Sequence, residues 1–296
     1  LKQALADHLG CSASHIAIGE GIDSLLGHIV RMVIEPGMTV ATSLGAYPTF
    51  NFHVAGYGGR LVTTPYVDDR EDLDGLLALV SREKASLLYF ANPDNPMGSW
   101  WTAERVSDFV RAVPDTCLLI LDEAYGELGP ASALPPIDIS RPNVIRMRTF
   151  SKAYGLAGAR VGYVVTTPEN AQGFDKIRHH FGMPRISVAA ALAALKDQAY
   201  LNQAIDAIRQ SRERIGAIAR QNGLTPLASA TNFVAVDCGR DGTYARAIVD
   251  GLMEHGVFIR MPGVAPLNRC IRISAGVEAD MALLEAALPK VLASIG

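Results

Sequence analysis

The chain has 296 residues, 49% apolar and 19% charged, the balance of a globular protein with one large core and room for a satellite. A formal net charge of −3 supplies no basic field for nucleic acid or an anionic membrane surface, and no apolar run reaches the roughly 18 residues of a spanning helix. Cys11, Cys117, Cys238 and Cys270 are scattered with no C-x-x-C pair, which excludes a disulfide framework or zinc ribbon and reads as thiols of a reducing cytoplasm.

Short apolar runs alternate with helical patterns, as expected for a mainly parallel sheet covered on both faces. His15–Ile18 reads as a strand, and Gly19-Glu-Gly-Ile-Asp-Ser leads into a helix from Ser24 to Ile34 that Pro36-Gly37 closes. Thr39–Thr42 begins the next strand. Ser86–Phe90, Cys117–Leu121, Val144–Arg148 and Val161–Val165 are further strands, rich in Leu, Ile and Val. Ser187–Leu195 is an alanine-rich helix, and from Tyr200 to about Asn222 apolar and charged residues alternate at helical spacing until Gly223 ends the run. The pattern then shifts to strand Asn232–Asp237, helix Tyr244–His255, segments Val257–Arg260 and Cys270–Ser274, and a last helix from Ala279. The expected architecture is α/β: a three-layer, mostly parallel sheet in a large domain over 1–222, followed by a smaller C-terminal α+β domain over 223–296. The first residues are left open to either domain. No repeat or low-complexity tract interrupts this order.

Three strands run straight into polar residues: Asn92-Pro-Asp-Asn, Asp122-Glu and Thr149-Phe-Ser-Lys. Ligands of open α/β sheets bind outside the carboxyl ends of the strands, so these ends are expected to converge on one site. The Gly19 loop offers backbone N–H groups at a helix start, where the dipole favours a phosphate; a tight turn capped by Asp23 or Ser24 is the plainer reading. In Asn92-Pro-Asp-Asn-Pro-Met-Gly98, two prolines and a glycine fix the backbone and hold Asn95 as a hydrogen-bond donor, against a simple surface turn. Asp122 ends an apolar strand, and a carboxylate there needs a cation: a protonated pyridine nitrogen, a metal or an arginine. Lys152 follows two hydroxyl residues, Thr149 and Ser151, and precedes Arg160. Near such cations its pKa falls and it becomes an amine nucleophile; a solvated lysine in a glycine-rich loop leaves its companions unexplained.

Taken in order, Gly21-Ile-Asp-Ser, Tyr47-Pro-Thr-Phe, Asn92-Pro-Asp-Asn-Pro-Met-Gly, Asp122-Glu-Ala-Tyr, Ser151-Lys and Arg160 resemble the class I/II, fold-type I aminotransferases. The likeness runs over nearly the whole chain, ends with Cys270-Ile-Arg-Ile-Ser-Ala-Gly, and is nearest to the histidinol-phosphate aminotransferases. It implies the aspartate-aminotransferase-like fold and pyridoxal 5'-phosphate as cofactor, held by Lys152 as a Schiff base. Once released by substrate, Lys152 would shuttle the proton between Cα and C4′. Asp122 would pair with the pyridinium nitrogen, Asn95 and Tyr125 would bond the phenolic oxygen, and Tyr47 would stack on the ring. The phosphate would rest on the backbone of Gly21, Ile22 and Asp23, with Thr149, Ser151 and Arg160 completing its cup. Arg272 resembles the arginine that takes the substrate carboxylate or phosphate, and Arg260 a second anion contact.

The implied reaction moves an amino group from L-histidinol phosphate, or an aromatic amino acid, to a 2-oxo acid such as 2-oxoglutarate, in histidine biosynthesis. The same lysine and aspartate serve decarboxylases and lyases, and some bacterial transcription regulators carry an aminotransferase-like effector domain. Asp94 and Met97 stand where the family usually has asparagine and threonine, and Phe181-Gly-Met-Pro-Arg-Ile-Ser replaces a more polar stretch. Relatives also carry an N-terminal arm that closes the pocket and lends a tyrosine to the neighbouring subunit. Leu1 stands beyond that arm, so the expectation is a truncated or partly omitted chain whose full form is a cytoplasmic homodimer with active sites at the interface.

Overall fold

A computed structural model describes residues 1–296. Helix α1 (Lys2–Leu9) precedes β1 (Ile16–Gly19), and α2 (Gly21–Val33) follows at once. The chain then alternates β2 (Thr39–Ser43), α3 (Pro48–Gly56), β3 (Arg60–Thr64), α4 (Leu73–Glu83), β4 (Leu87–Ala91), α5 (Ala103–Ala112) and β5 (Leu118–Asp122). Strands β6 (Val144–Thr149) and β7 (Gly162–Val165) complete the large sheet before α6 (Pro168–Ile177), α7 (Arg185–Lys196) and α8 (Gln198–Gln221).

The seven strands lie in the order β1-β7-β6-β5-β4-β2-β3, and only β7 runs antiparallel to its neighbours. Burial on both faces explains why these strands read as continuous apolar runs. In β4, Leu87, Tyr89 and Ala91 enter the core beside α2 and α3, while Leu88 and Phe90 enter the opposite core beside α4 and α5. The same alternation in β5 sends Ile120 to the first core and Leu119 and Leu121 to the second. Asp122, two residues beyond Ile120, therefore emerges on the side of Tyr89.

The second sheet is antiparallel, in the order β10-β9-β8, from β8 (Thr225–Pro226), β9 (Phe233–Asp237) and β10 (Cys270–Ser274). Helices α9 (Gly242–Glu254) and α10 (Glu278–Ile295) bring Ile248, Leu252, Leu284 and Leu288 onto Val234, Val236, Ile271 and Ile273. The segment Val257–Arg260 forms no strand, only a single bridge from Arg260 to Arg272. Pro262, two residues on, has no N–H to extend a ladder.

The two sheets are tied at their junction. The Arg269 guanidinium reaches Asp69 at 2.7 Å and Asp237 at 2.8 Å, and Met97 packs with Ala235, Leu267 and Cys270. Gly223, with φ of 74°, takes the left-handed turn that releases the chain from α8 into the second sheet.

Candidate active site

A cleft opens at the carboxyl ends of the central parallel strands. Each wall follows from a strand that stops. β4 ends into Pro93 and Asn95, β5 into Asp122, Ala124 and Tyr125, and β6 into Thr149, Ser151 and Lys152. Ile22 and Asp23 come from the first turn of α2, Tyr47 from the residue capping α3, and Arg160 from the turn before β7. Nine of the residues singled out from the sequence thus meet on one surface with Arg160, although the chain separates them widely.

One end of the cleft is built for an anion. Helix α2 starts at Gly21, three residues earlier than the sequence pattern indicated, and no side chain caps its first amides. Gly21 has φ of 83°, and a Cβ there would lie 2.4 Å from Nη2 of Arg160, so only glycine leaves the arginine its place. Arg160 itself adopts the left-handed conformation, with φ of 52°. Its guanidinium approaches the Ser151 hydroxyl at 3.5 Å and Asp23 at 3.6 Å. Thr149 donates to Ser151 Oγ at 3.0 Å and accepts from the Ser151 amide, which fixes both hydroxyls. Free helix amides, two hydroxyls and a guanidinium form a cradle of the kind that phosphate groups occupy.

At the other end lies Asp122, 4% exposed. One carboxylate oxygen accepts from the Tyr89 hydroxyl and the other from the Ala124 amide, both at 2.8 Å. Burial pushes its pKa up to about 6, against the pull of these two donors and the charge of Lys152. It makes no direct ion pair within the chain, so its need for a cation is left to whatever fills the cleft. Burial, and then the charge of Arg272, hold the Lys152 amine below the usual lysine range, while Asp122 and Asp23 oppose the shift. Lys152 Nζ stands 5.1 Å from the centroid of the Tyr125 ring. Burial raises the pKa of Tyr125 and pushes that of Tyr47 up to about 12, so both phenols stay protonated; Tyr47 donates to Asp23 at 2.7 Å.

The two arginines expected to meet substrate lie beside this surface, Arg272 on the second sheet and Arg260 bridged to it. Ile271 and Ile273 point into the core and Arg272 points the other way, as alternation requires. Its Nη1 donates to the Asn95 side-chain oxygen, its Cζ lies 4.7 Å from the Phe233 ring centroid, and its Nε is buried without a partner. Asn95 thus accepts on its oxygen, which leaves its amide nitrogen as the donor facing the cleft. Arg260 shares a backbone bridge with Arg272, but its side chain is exposed, 5.9 Å from the Phe258 ring centroid.

Tyr89, Ala91, Pro93 and Ala124 also line the cleft and were not singled out from the sequence. Tyr89 sits in an apolar strand and reads as a core aromatic. Only the β4–β5 register, with Ala91 opposite Asp122 and Tyr89 opposite Ile120, sets its hydroxyl diagonally against the carboxylate.

Fold and site together define an α/β enzyme in which a strand-end lysine and a buried aspartate share a cleft with an anion cradle. A model of the family described as aminotransferase class I and II matches residues 1–289, and the chain belongs to that family. Histidinol-phosphate aminotransferase 2 of Pseudomonas fluorescens (strain Pf0-1) is 33% identical over 296 residues, covering 99% of this chain and 79% of that protein. The crystal structure of histidinol-phosphate aminotransferase from Sinorhizobium meliloti, in complex with pyridoxal-5'-phosphate, is 69% identical with a TM-score of 0.99. It covers all (100%) of this chain and 81% of that one. Thermus thermophilus aspartate aminotransferase with maleate, 20% identical over 98% of this chain and 81% of that chain, has a TM-score of 0.86 and shares the fold. The protein is thus a transaminase of the aspartate-aminotransferase fold.

Proposed function

We propose that the protein is a pyridoxal-phosphate-dependent aminotransferase that takes L-histidinol phosphate as amino donor and a 2-oxo acid such as 2-oxoglutarate as acceptor. The observation that carries this reading is the pairing, in one cleft, of a buried carboxylate without a cation and an uncapped helix start under Arg160. Both ends fit the cofactor, one its ring nitrogen and the other its phosphate. The relatives named above support the choice of cofactor and donor.

When bound, pyridoxal phosphate supplies an electron sink for the pair released at the substrate Cα. The backbone amides of Gly21, Ile22 and Asp23, with Thr149, Ser151 and Arg160, would hold its phosphate. Asp122 would keep a proton on the ring nitrogen, Tyr125 and the Asn95 amide would donate to the phenolic oxygen, and Tyr47 would cover one face. Lys152 would hold the cofactor through Nζ, and as a free amine it would take the proton from the substrate Cα. Its lowered pKa supports that role, because an amine must be unprotonated to act as a base. Arg272, which forms no ion pair within the chain and is fixed by Asn95, would supply a cation for a phosphate or carboxylate, and the exposed Arg260 a second cation at the mouth. A decarboxylase, a lyase or a regulator's effector domain is not favoured by relatives named as aminotransferases.

We further propose a homodimer working in the cytoplasm. Phe52, Phe181 and Ile186 are 72%, 99% and 79% exposed, apolar surface that a second copy would cover. All four cysteines are unpaired, as in a reducing compartment. No helix is long and apolar enough to cross a membrane. The large domain over 1–222 and the small one over 223–296 remain our division of the chain.

Purified protein loaded with pyridoxal phosphate should show a visible band that bleaches with histidinol phosphate and far less with phenylalanine, tyrosine or aspartate. A band indifferent to histidinol phosphate would overturn the donor, and no band at all the cofactor. Gel filtration of an active monomer would remove the dimer.

A further inference from the structure

Asp122 enters the mechanism as the group that holds the ring-nitrogen proton, yet nothing in its own strand keeps it charged or aimed. It is buried, and burial by itself favours the neutral carboxylic acid, which is no counter-charge for a cationic ring. The donors that oppose neutralisation are the Ala124 amide, a backbone group present in any sequence, and the Tyr89 hydroxyl, a choice of side chain.

Tyr89 is 1% exposed, and its ring stacks on Phe50, itself 0% exposed, with centroids 4.9 Å apart and planes at 20°. Phe50 lies in the first turn of α3, three residues after Tyr47. The same turn therefore supplies a wall of the cleft and the surface that fixes Tyr89. Burial and the nearby Asp122 charge raise the Tyr89 pKa well above the ordinary phenol value, so the hydroxyl remains a donor. With its ring clamped and its proton retained, Tyr89 has one polar partner for its hydroxyl, Oδ2 of Asp122 at 2.8 Å.

We infer that Tyr89 is a positioning residue for the reaction: its hydroxyl, held by the Phe50 stack, orients Asp122 and keeps it anionic beneath the cofactor's ring nitrogen. This rests on the cofactor reading above and assigns it a residue in the layer beneath. The Tyr89 hydroxyl acts on the chemistry through Asp122, so its effect should depend on there being a nitrogen to serve.

The test is the affinity of the cofactor-free protein for pyridoxal phosphate and for its 1-deaza analogue, in which carbon replaces the ring nitrogen. Tyr89→Phe keeps the stack on Phe50 and removes the donor. It should weaken pyridoxal phosphate binding on the order of tenfold, as expected for losing a hydrogen bond to a charged group, and leave binding of the deaza analogue nearly unchanged. In an Asp122→Asn background the same change should have no further effect on either ligand. Equal losses on both ligands would assign Tyr89 to packing alone and overturn the inference, as would an unchanged affinity for pyridoxal phosphate. If Asp122→Asn binds pyridoxal phosphate as tightly as the unaltered protein, the Asp122 role itself falls, and the Tyr89 inference falls with it.

Discussion

The two walls of the cleft are built in opposite ways. The cofactor floor comes from strand ends of one seven-stranded sheet, where Asp122 and Thr149 are buried and each polar group has a fixed partner. The substrate rim comes from a second, antiparallel sheet, and its cations are poorly satisfied: Arg272 carries a buried, unpartnered Nε, and Arg260 is exposed. A rigid floor suits a ligand that stays through every cycle. A rim whose cations form no ion pair within the chain suits one that must arrive and leave, because their charges are paired only when the substrate is present.

This contrast can be broken or sharpened by substitution, and the largest effect belongs to the floor. Lys152→Ala should lower kcat for transamination by about ten-thousandfold, since it removes both the anchor and the base, while circular dichroism stays unchanged. An undiminished rate would dissolve the division.

Next comes a floor effect read as stability. The Asp122 pKa is raised from 3.8 to about 6, so the folded protein binds that proton more tightly than the unfolded chain does. The stability linked to it is full at low pH and is lost as pH rises through about 6. Thermal melts of the cofactor-free protein should show Asp122→Asn gaining on the unaltered chain between about pH 4 and pH 7, by at most about 3 kcal/mol. A pH-independent difference would mean that Asp122 is not a strained, buried charge.

At the rim the effects should be smaller and lie in KM. Arg272→Lys keeps the charge but loses the planar fork and the free Nε, and should raise KM for donor and acceptor about tenfold with kcat little altered. A fall in kcat alone would move Arg272 into the chemistry. Smallest of all is the junction between the walls. Asp69→Asn removes a partly exposed pair with Arg269 and should cost at most about 1 kcal/mol, shifting KM by a few-fold at most. A larger shift in steady-state kinetics would show that the rim depends on this tie for its position.

Much of the floor was legible in the sequence because its residues sit at fixed offsets from apolar runs. Asp122 closes Leu118-Leu-Ile-Leu, and Lys152 follows Val144-Ile-Arg-Met-Arg by a few residues, so each could be placed at a strand end from one segment alone. The start of α2 was set too late because Gly21 and Ile22 carry no capping signal; what they carry is a positive φ and free amides.

Period and punctuation along the chain therefore determined the class of fold, the strand ends and the order of the chemical residues, since these depend on neighbours within a few positions. Tertiary structure alone decided which side chains face one another. Tyr89 meets Asp122 through the register of two strands, Arg160 meets Gly21 because a glycine leaves it room, and Arg272 meets Asn95 across two sheets. Each is a contact between segments far apart in sequence, set by packing that no local pattern encodes.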